Sequence, residues 1–148
     1  MKSLHLAGPE DFDRLLPMVA AFHNEAGFGT DADHIEAAIR PLLEGAPHGA
    51  VWLIGPKRAP VGYLCVSFGW SIEFGGLDAM LDEIYVRPAV RGRGMGATAL
   101  DEIAKALRES GVRAMHLEVE RDNETTQRLY ARSRFVPRDR YMLMSRRF

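Results

Sequence analysis

The chain has 148 residues, of which 47% are hydrophobic and 26% charged, the size and composition of a single compact domain. Its 19 basic and 20 acidic side chains leave a formal net charge of −1, which disfavours nucleic acid or an acidic membrane as a partner. One cysteine, Cys65, excludes an intrachain disulfide and a cysteine-based zinc site. The five histidines lack paired ligand spacing, so no metal site is expected. Without a signal-peptide pattern or an apolar run that would span a bilayer, a cytoplasmic protein is expected.

The first third of the chain begins with a strand pattern and continues with two helix patterns. Residues 3–7 alternate like a strand, and Pro9 then opens an amphipathic pattern that runs to Phe22. A second helix is expected around Ile35, with an interruption near Pro41.

The rest of the chain alternates strands and helices. In order, the patterns are strands at 50–54 and 61–68 joined by GPKRAP, a strand at 77–86, a helix at 99–107, a strand at 113–120, a helix after Asn123, and one or two strands at 135–145. This order predicts a mixed α/β fold in one domain across residues 1–148.

A glycine-rich loop, RGRGMG, lies between the strand at 77–86 and the next helix. Gly92, Gly94 and Gly96 let backbone N–H groups approach an anion, and the helix N-terminus adds further donors. Arg91 and Arg93 would add charge-assisted contacts to phosphate. The pattern therefore predicts a pyrophosphate-binding turn.

Two other phosphate-binding loops fit this segment less well. Gly94-x-Gly96-x-x-Ala99 imitates the dinucleotide fingerprint, with Glu118 at the distance of the ribose-binding acid, but residues 87–90 separate the glycines from the strand. A Walker loop fails because Gly-Lys-Ser or Gly-Lys-Thr is missing. A nicotinamide-dependent reductase is kept as an alternative, which predicts that NAD stabilises the protein.

The segment LDEIYVRPAVRGRGMGATALDEIAKAL resembles the acetyl-coenzyme A signature of the GNAT superfamily of N-acetyltransferases. The core of that signature is Arg/Gln-x-x-Gly-x-Gly/Ala after a hydrophobic strand. Arg91, Gly94 and Gly96 fill its three fixed positions.

A second segment, LEVERDNETTQRLYARSRF, is similar to the second signature of the same family. Asn123 and Tyr130 match its fixed positions, and Phe135 matches its final aromatic residue. Arg134 stands where the family usually has glycine, which puts the turn after this helix in question. Both signatures occur in the family's order and at its separation.

The resemblance implies a fold and an activity. The expected fold is a single GNAT-like domain whose central sheet is mixed and mostly antiparallel, with a splayed parallel strand pair and about four flanking helices. The implied reaction transfers an acetyl group from acetyl-coenzyme A to a primary amine of a small molecule or a peptide, by direct attack in a ternary complex without metal. A homodimer is also implied. The alternative is a catalytically silent protein of the same fold that binds acetyl-coenzyme A as a sensor or an interaction module.

The resemblance also implies which residues bind acetyl-coenzyme A. Backbone groups at the end of the strand would meet the pantetheine, and those of the loop would meet the pyrophosphate. The full set is Ile84, Tyr85, Val86, Arg91, Gly92, Arg93, Gly94, Met95, Gly96, Ala97, Asn123 and Tyr130.

Amine acetylation needs a base for the ammonium, a donor for the oxyanion and an acid for the thiolate. The resemblance gives the oxyanion to the Val86 N–H and the acid role to Tyr130. Glu83 and Glu73 compete as the base, directly or through water.

Strand alternation and local charge bear on the choice of base and acceptor. Strict alternation places Glu83 with Leu81 and Tyr85 on one face, and Asp82 with Met80 and Ile84 on the other. The acidic run from Glu73 to Glu83 would attract a cationic acceptor, such as a polyamine, an aminoglycoside-like amine or a lysine. His116 is expected to be an ordinary strand residue and not a catalyst.

Overall fold

Five strands form one sheet, in the order β1-β2-β3-β4-β5, in a computed structural model that describes residues 3–148. The strands are β1 (Leu4–Leu6), β2 (Gly49–Ile54), β3 (Gly62–Ser71), β4 (Gly76–Val86) and β5 (Ala114–Leu117). The first four pair antiparallel with their neighbours, whereas β4 and β5 are parallel. The prediction of a mixed, mostly antiparallel sheet with one parallel pair is confirmed.

Four helices accompany the sheet, also as predicted. They are α1 (Phe12–Ala26), α2 (Ala32–Leu43), α3 (Met95–Glu109) and α4 (Glu124–Arg132). Within residues 3–148, no helix is long and apolar enough to cross a membrane.

The residues group into two compact units, one that ends at Glu118 and one from Val119 to Phe148. The first unit holds the sheet with α1, α2 and α3, and the second holds α4. The single-domain organisation expected from length stays a prediction.

Helices α1 and α2 cover one face of the sheet. Leu15 and Met18 of α1 and Ile35 of α2 are buried in one cluster with Leu53 and Tyr63. The side of the sheet that carries Val51, Leu53, Tyr63 and Tyr85 is termed the α1–α2 face. Because side chains alternate along a strand, the intervening residues belong to the other face.

The predicted break of the second helix near Pro41 is wrong. Helix α2 continues to Leu43 with Pro41 inside its last turn. A proline removes one N–H donor and disturbs the turn before it, yet the Glu44 N–H still donates to the Arg40 carbonyl at 3.0 Å. The helix therefore passes through Pro41 without interruption and ends at Leu43.

The predicted strands at 135–145 are also wrong. The structure describes this stretch throughout and assigns it no strand. Val136, Met142 and Leu143 are exposed, so the apolar pattern covers no core. Pro137 lacks a backbone N–H donor. None of these residues pairs with a neighbouring strand, and a segment with a strand-like sequence needs such a partner to form a strand.

Candidate active site

Strands β4 and β5 separate partway along β4. Their pairing runs from Asp78 opposite Ala114 to Leu81 opposite Leu117, where β5 ends. Strand β4 continues for five more residues, to Val86. The point after Leu81 and Leu117 is termed the fork. In the described structure, the edge of β4 beyond the fork pairs with no strand.

A β-bulge at Asp82 lies directly after the fork. Cys65 lies opposite Glu83, and the next residue of β3, Val66, lies opposite Leu81, so Asp82 is the extra residue. Cys65 and Val66 are consecutive and point to opposite faces. Their partners Glu83 and Leu81 therefore also point to opposite faces.

The bulge places Glu83 on the α1–α2 face together with Tyr85 and Met80. The predicted grouping of Glu83 with Leu81, and of Met80 with Asp82, is wrong because it assumed an unbroken alternation. A bulge adds one residue and so reverses the face of everything beyond it. The residue types around Asp82 do not predict a β-bulge there.

Both carboxylate oxygens of Glu83 are held by side chains from other elements. The Tyr63 hydroxyl donates to Oε1 at 2.7 Å, and Nε2 of His23 lies 2.6 Å from Oε2. Nδ1 of His23 lies 2.7 Å from the Thr30 hydroxyl oxygen. The side chains of His23 and Glu83 are only 14% and 16% exposed. An ionised Glu83 can only accept, so Nε2 of His23 carries the hydrogen in this arrangement.

The pKa of Tyr63 is raised by burial, and the adjacent charge of Glu83 raises it further. Its hydroxyl therefore keeps its proton and acts as a donor to Glu83. His23 did not emerge from the sequence as a site residue. One signal was available, because His23 follows the buried Val19 by four residues and so lies on the apolar stripe of α1.

The glycine-rich loop has the conformation that an anion cradle needs. Gly92 and Gly94 have φ values of 81° and 78°, a region that residues with a Cβ rarely adopt. Gly94 is the N-cap of α3 and supplies no side-chain cap. The first N–H groups of α3 are thus left for a ligand, which fits the pyrophosphate of a coenzyme.

The end of β4 offers backbone groups to its open edge at alternate residues. The Tyr85 carbonyl faces β3 so closely that a Cβ on Gly62 would lie 2.1 Å from it. Backbone groups of consecutive strand residues point in opposite directions, so those of Ile84 and Val86 point away from β3. Of the three residues expected to meet pantetheine through their backbones, Ile84 and Val86 are the two oriented to do so.

A model of the family described as the acetyltransferase (GNAT) family matches residues 16–135. The chain belongs to the GNAT acetyltransferase family. No curated protein matches it in sequence.

Several solved structures resemble this GNAT chain along nearly its whole length. The integron cassette protein HFX_CASS3, from the mobile metagenome of Cole Harbour Salt Marsh, is 32% identical, with 97% of this chain and 90% of that one covered and a TM-score of 0.84. The ribosomal-protein-alanine N-acetyltransferase of Brucella melitensis biovar Abortus 2308 is 19% identical over 99% and 100% of the two chains, with a TM-score of 0.76. A transcriptional regulator of Bacillus halodurans C-125 is 16% identical over 98% of each, with a TM-score of 0.77. The last two show a shared fold only.

The arginine of the first GNAT signature is bound within the protein. Nε of Arg91 donates to the Val86 carbonyl at 2.7 Å, and one terminal nitrogen donates to both carboxylate oxygens of Glu25 at 2.9 Å. Its guanidinium carbon also lies 5.5 Å from the centre of the Tyr85 ring. Arg91 thus ties the loop to β4 and α1, and its contact with phosphate stays a prediction, as does that of Arg93.

Two further titratable residues differ in what they offer a GNAT reaction. Burial raises the pKa of Cys65 to about 12, with help from the charges of Asp82 and Glu83, so its thiol stays protonated at neutral pH. Glu73 lies in the exposed turn before β4, roughly 20 Å along the strand from Glu83. Residues 3–148 contain no group of three metal-ligating side chains that could hold a metal ion.

The second GNAT signature forms a capped helix in the unit that begins at Val119. Oδ1 of Asn123 accepts from the Thr126 N–H at 3.1 Å and so caps the helix that the sequence predicts after Asn123. Tyr130 lies on α4 with its ring 6.1 Å from that of Phe135, and burial raises the pKa of its hydroxyl. The Tyr130 hydroxyl therefore stays protonated at neutral pH.

Arg134 takes the conformation of the glycine that the family usually has there. Its φ is 71°, the only positive φ at a non-glycine residue in the described chain. The N–H of Phe135 donates to the Tyr130 carbonyl at 3.1 Å, as in a Schellman motif. The turn that the sequence put in question therefore forms with arginine in the left-handed position.

Proposed function

We propose that this protein is an N-acetyltransferase that transfers the acetyl group of acetyl-coenzyme A to a primary amine of a small molecule or a peptide. The observation that carries the proposal is the placement of Glu83, a half-buried carboxylate two residues beyond the fork, fixed through both of its oxygens. Acetyl-coenzyme A supplies the activated acetyl thioester when bound.

Glu83 is the proposed base of the reaction. An amine acceptor is mostly an ammonium ion at neutral pH and must lose a proton before its nitrogen can attack. Tyr63 and His23 fix the carboxylate, and each oxygen retains a further lone pair that can take this proton directly or through water. Glu73 is exposed in the turn before β4, eight residues before Leu81 at the fork, so we favour Glu83.

The remaining roles follow the resemblance to the GNAT signatures. The Val86 N–H points toward the open edge of β4, where it would donate to the developing oxyanion. Tyr130 would protonate the departing thiolate, since its hydroxyl is protonated at neutral pH. The protonated Cys65 favours direct attack over an acetylated cysteine intermediate.

The acceptor is proposed to be cationic, resembling a polyamine, an aminoglycoside or a lysine side chain. Glu83 and Asp78 both belong to the α1–α2 face, and no Lys or Arg of β3, β4 or β5 lies on that face between them. Two carboxylates on one half-buried surface attract an ammonium group and raise its local concentration.

The test is a mass-spectrometric search for acetylated products with acetyl-coenzyme A and a panel of polyamines, aminoglycosides, peptides and amino acids. Glu83→Gln should lower turnover by about 100-fold or more, while the neighbouring Asp82→Asn should change it little. Equal activity of Glu83→Gln and wild type would remove the base assignment. Binding of acetyl-coenzyme A without any product would instead identify the silent sensor.

A further inference from the structure

A second carboxylate–imidazole pair lies on the α1–α2 face, on the other side of the fork from Glu83. Nε2 of His116 is 3.2 Å from Oδ2 of Asp78, and the two side chains are 25% and 20% exposed. The ring of Phe74 packs against the imidazole with 5.1 Å between centres. The pair is therefore partly shielded from water and fixed from two sides.

The face assignment follows from the strand register. His116 pairs with Met80, and Asp78 precedes Met80 by two residues on the same side of β4. Met80 shares the α1–α2 face with Glu83 because the bulge intervenes. Asp78, His116 and Glu83 consequently all point to the same side of the sheet.

His116 differs from His23 in having a ring nitrogen to spare. Both nitrogens of His23 are occupied, by Glu83 and Thr30. Only Nε2 of His116 has a polar partner in the described chain, which leaves Nδ1 to accept a proton. A carboxylate on one imidazole nitrogen fixes the ring and stabilises the imidazolium that forms when the other nitrogen is protonated.

The position of His116 also suits an acceptor held at the fork. It is the next-to-last residue of β5, one residue before the strands separate. Along β4, its partner Met80 precedes Glu83 by three residues, about 10 Å at most. An amine between the two pairs would be within side-chain reach of both.

We propose that His116, oriented by Asp78, is a second proton acceptor of the acetyl transfer, an inference that rests on the proposed function. Glu83 takes the first proton from the ammonium ion, which frees the nitrogen lone pair. As the C–N bond to the acetyl carbon forms, the nitrogen loses a second proton to Nδ1 of His116. The C–S bond then breaks, Tyr130 protonates the thiolate to a thiol and regains a proton from water, and His116 and Glu83 each return a proton to water, so that one proton is released per turnover.

Other titratable groups on the same face define the background for a pH measurement. Strand β3 contributes Tyr63 and Cys65, β4 contributes Tyr85 beside the two carboxylates, and α1 contributes His23. Tyr63 and Cys65 stay protonated through neutral pH because burial raises the pKa of each. A neutral-range ionisation that disappears with His116 would thus belong to the imidazole.

The experiment compares wild type with His116→Gln, whose side chain is also polar but cannot accept a proton at neutral pH. We expect kcat to fall by about 10- to 100-fold and the acidic limb of kcat against pH to lose one ionisation, with acetyl-coenzyme A affinity unchanged. His34→Gln, at an exposed residue of α2, is the matched control. Asp78→Asn tests the pair without touching the imidazole and should lower kcat by about 10-fold.

The outcomes separate this inference from the function on which it rests. A His116→Gln protein with wild-type kcat and pH profile overturns the inference and leaves the acetyltransferase proposal standing. A wild-type protein that binds acetyl-coenzyme A and yields no acetylated amine overturns both. If His116→Gln does not fold, Asp78→Asn is the deciding variant. A kcat equal to that of wild type in Asp78→Asn would then overturn the proposal that Asp78 orients His116 for catalysis.

Discussion

Nε2 of His23 lies 2.6 Å from Oε2 of Glu83, although 60 residues separate them in sequence. His23 belongs to the last part of α1, and two residues later Glu25 binds Arg91 of the coenzyme signature. One helix end thus contacts the proposed base and the proposed coenzyme loop. The position of α1 should therefore affect both the proposed base, Glu83, and the proposed coenzyme-binding loop.

The first prediction concerns this contact. Replacing His23 with Leu removes a donor to a half-buried carboxylate, a contact worth roughly 1.5–3 kcal/mol, so turnover should fall by about 10- to 100-fold. His23→Gln keeps an N–H donor and should recover part of the loss. Steady-state kinetics at saturating acetyl-coenzyme A measure both, with His34→Leu as the control. If His23→Leu and wild type gave the same kcat and pH profile, His23 would have no positioning role.

The site could be predicted from sequence only where local pattern determines structure. The glycine loop, the Asn123 cap and the order of the first nine elements each follow from residues close together in the chain. The bulge at Asp82 does not, because it depends on how β3 and β4 align. The contact of Glu83 with His23 and Tyr63 is a consequence of that bulge and of the packing of α1, neither of which has a local signature.

In the C-terminal stretch, the sequence predicts regular structure that does not form. The apolar run at 141–144 has the composition of a strand, yet Met142 and Met144 are 77% and 83% exposed. A strand-like pattern indicates only which side chains a segment would bury if it paired with a neighbouring strand. Sequence periodicity therefore overestimated the regular structure where no pairing was formed.

Tyr130→Phe is the second prediction. Removing the hydroxyl eliminates the proposed proton donor to the thiolate but leaves the ring, whose edge packs against Phe135. We expect turnover to fall by about 100-fold while the affinity for acetyl-coenzyme A stays within about twofold. Isothermal titration with acetyl-coenzyme A and product assays give the two quantities separately. Unchanged turnover would contradict the acid role.

The third prediction uses the left-handed residue after α4. An arginine with φ of 71° carries a steric cost of about 1–2 kcal/mol that glycine avoids, while glycine loses more backbone entropy on folding. Arg134→Gly should therefore stabilise the protein by roughly 0.5–1 kcal/mol, seen as a higher urea midpoint. The contrasting variant is Arg132→Gly at the last residue of α4, which should destabilise by a similar amount. A lower midpoint for Arg134→Gly would mean that the arginine side chain makes a stabilising contact.

The fourth prediction tests whether Cys65 takes part in catalysis. Burial raises the pKa of its thiol to about 12, so native protein should react with iodoacetamide slowly at pH 8, and Cys65→Ser should retain most of its activity.

The raised pKa of Cys65 also affects how the stability of the folded protein depends on pH. Below about pH 8.5 the thiol is protonated in both the folded and the unfolded chain, whereas above it only the unfolded chain ionises. The stability that depends on the protonated thiol should thus decline from about pH 8.5 toward 12, and the decline should be smaller in Cys65→Ser. Rapid alkylation of the folded protein at pH 8, with loss of turnover in Cys65→Ser, would point to an acetyl-cysteine intermediate and against direct attack.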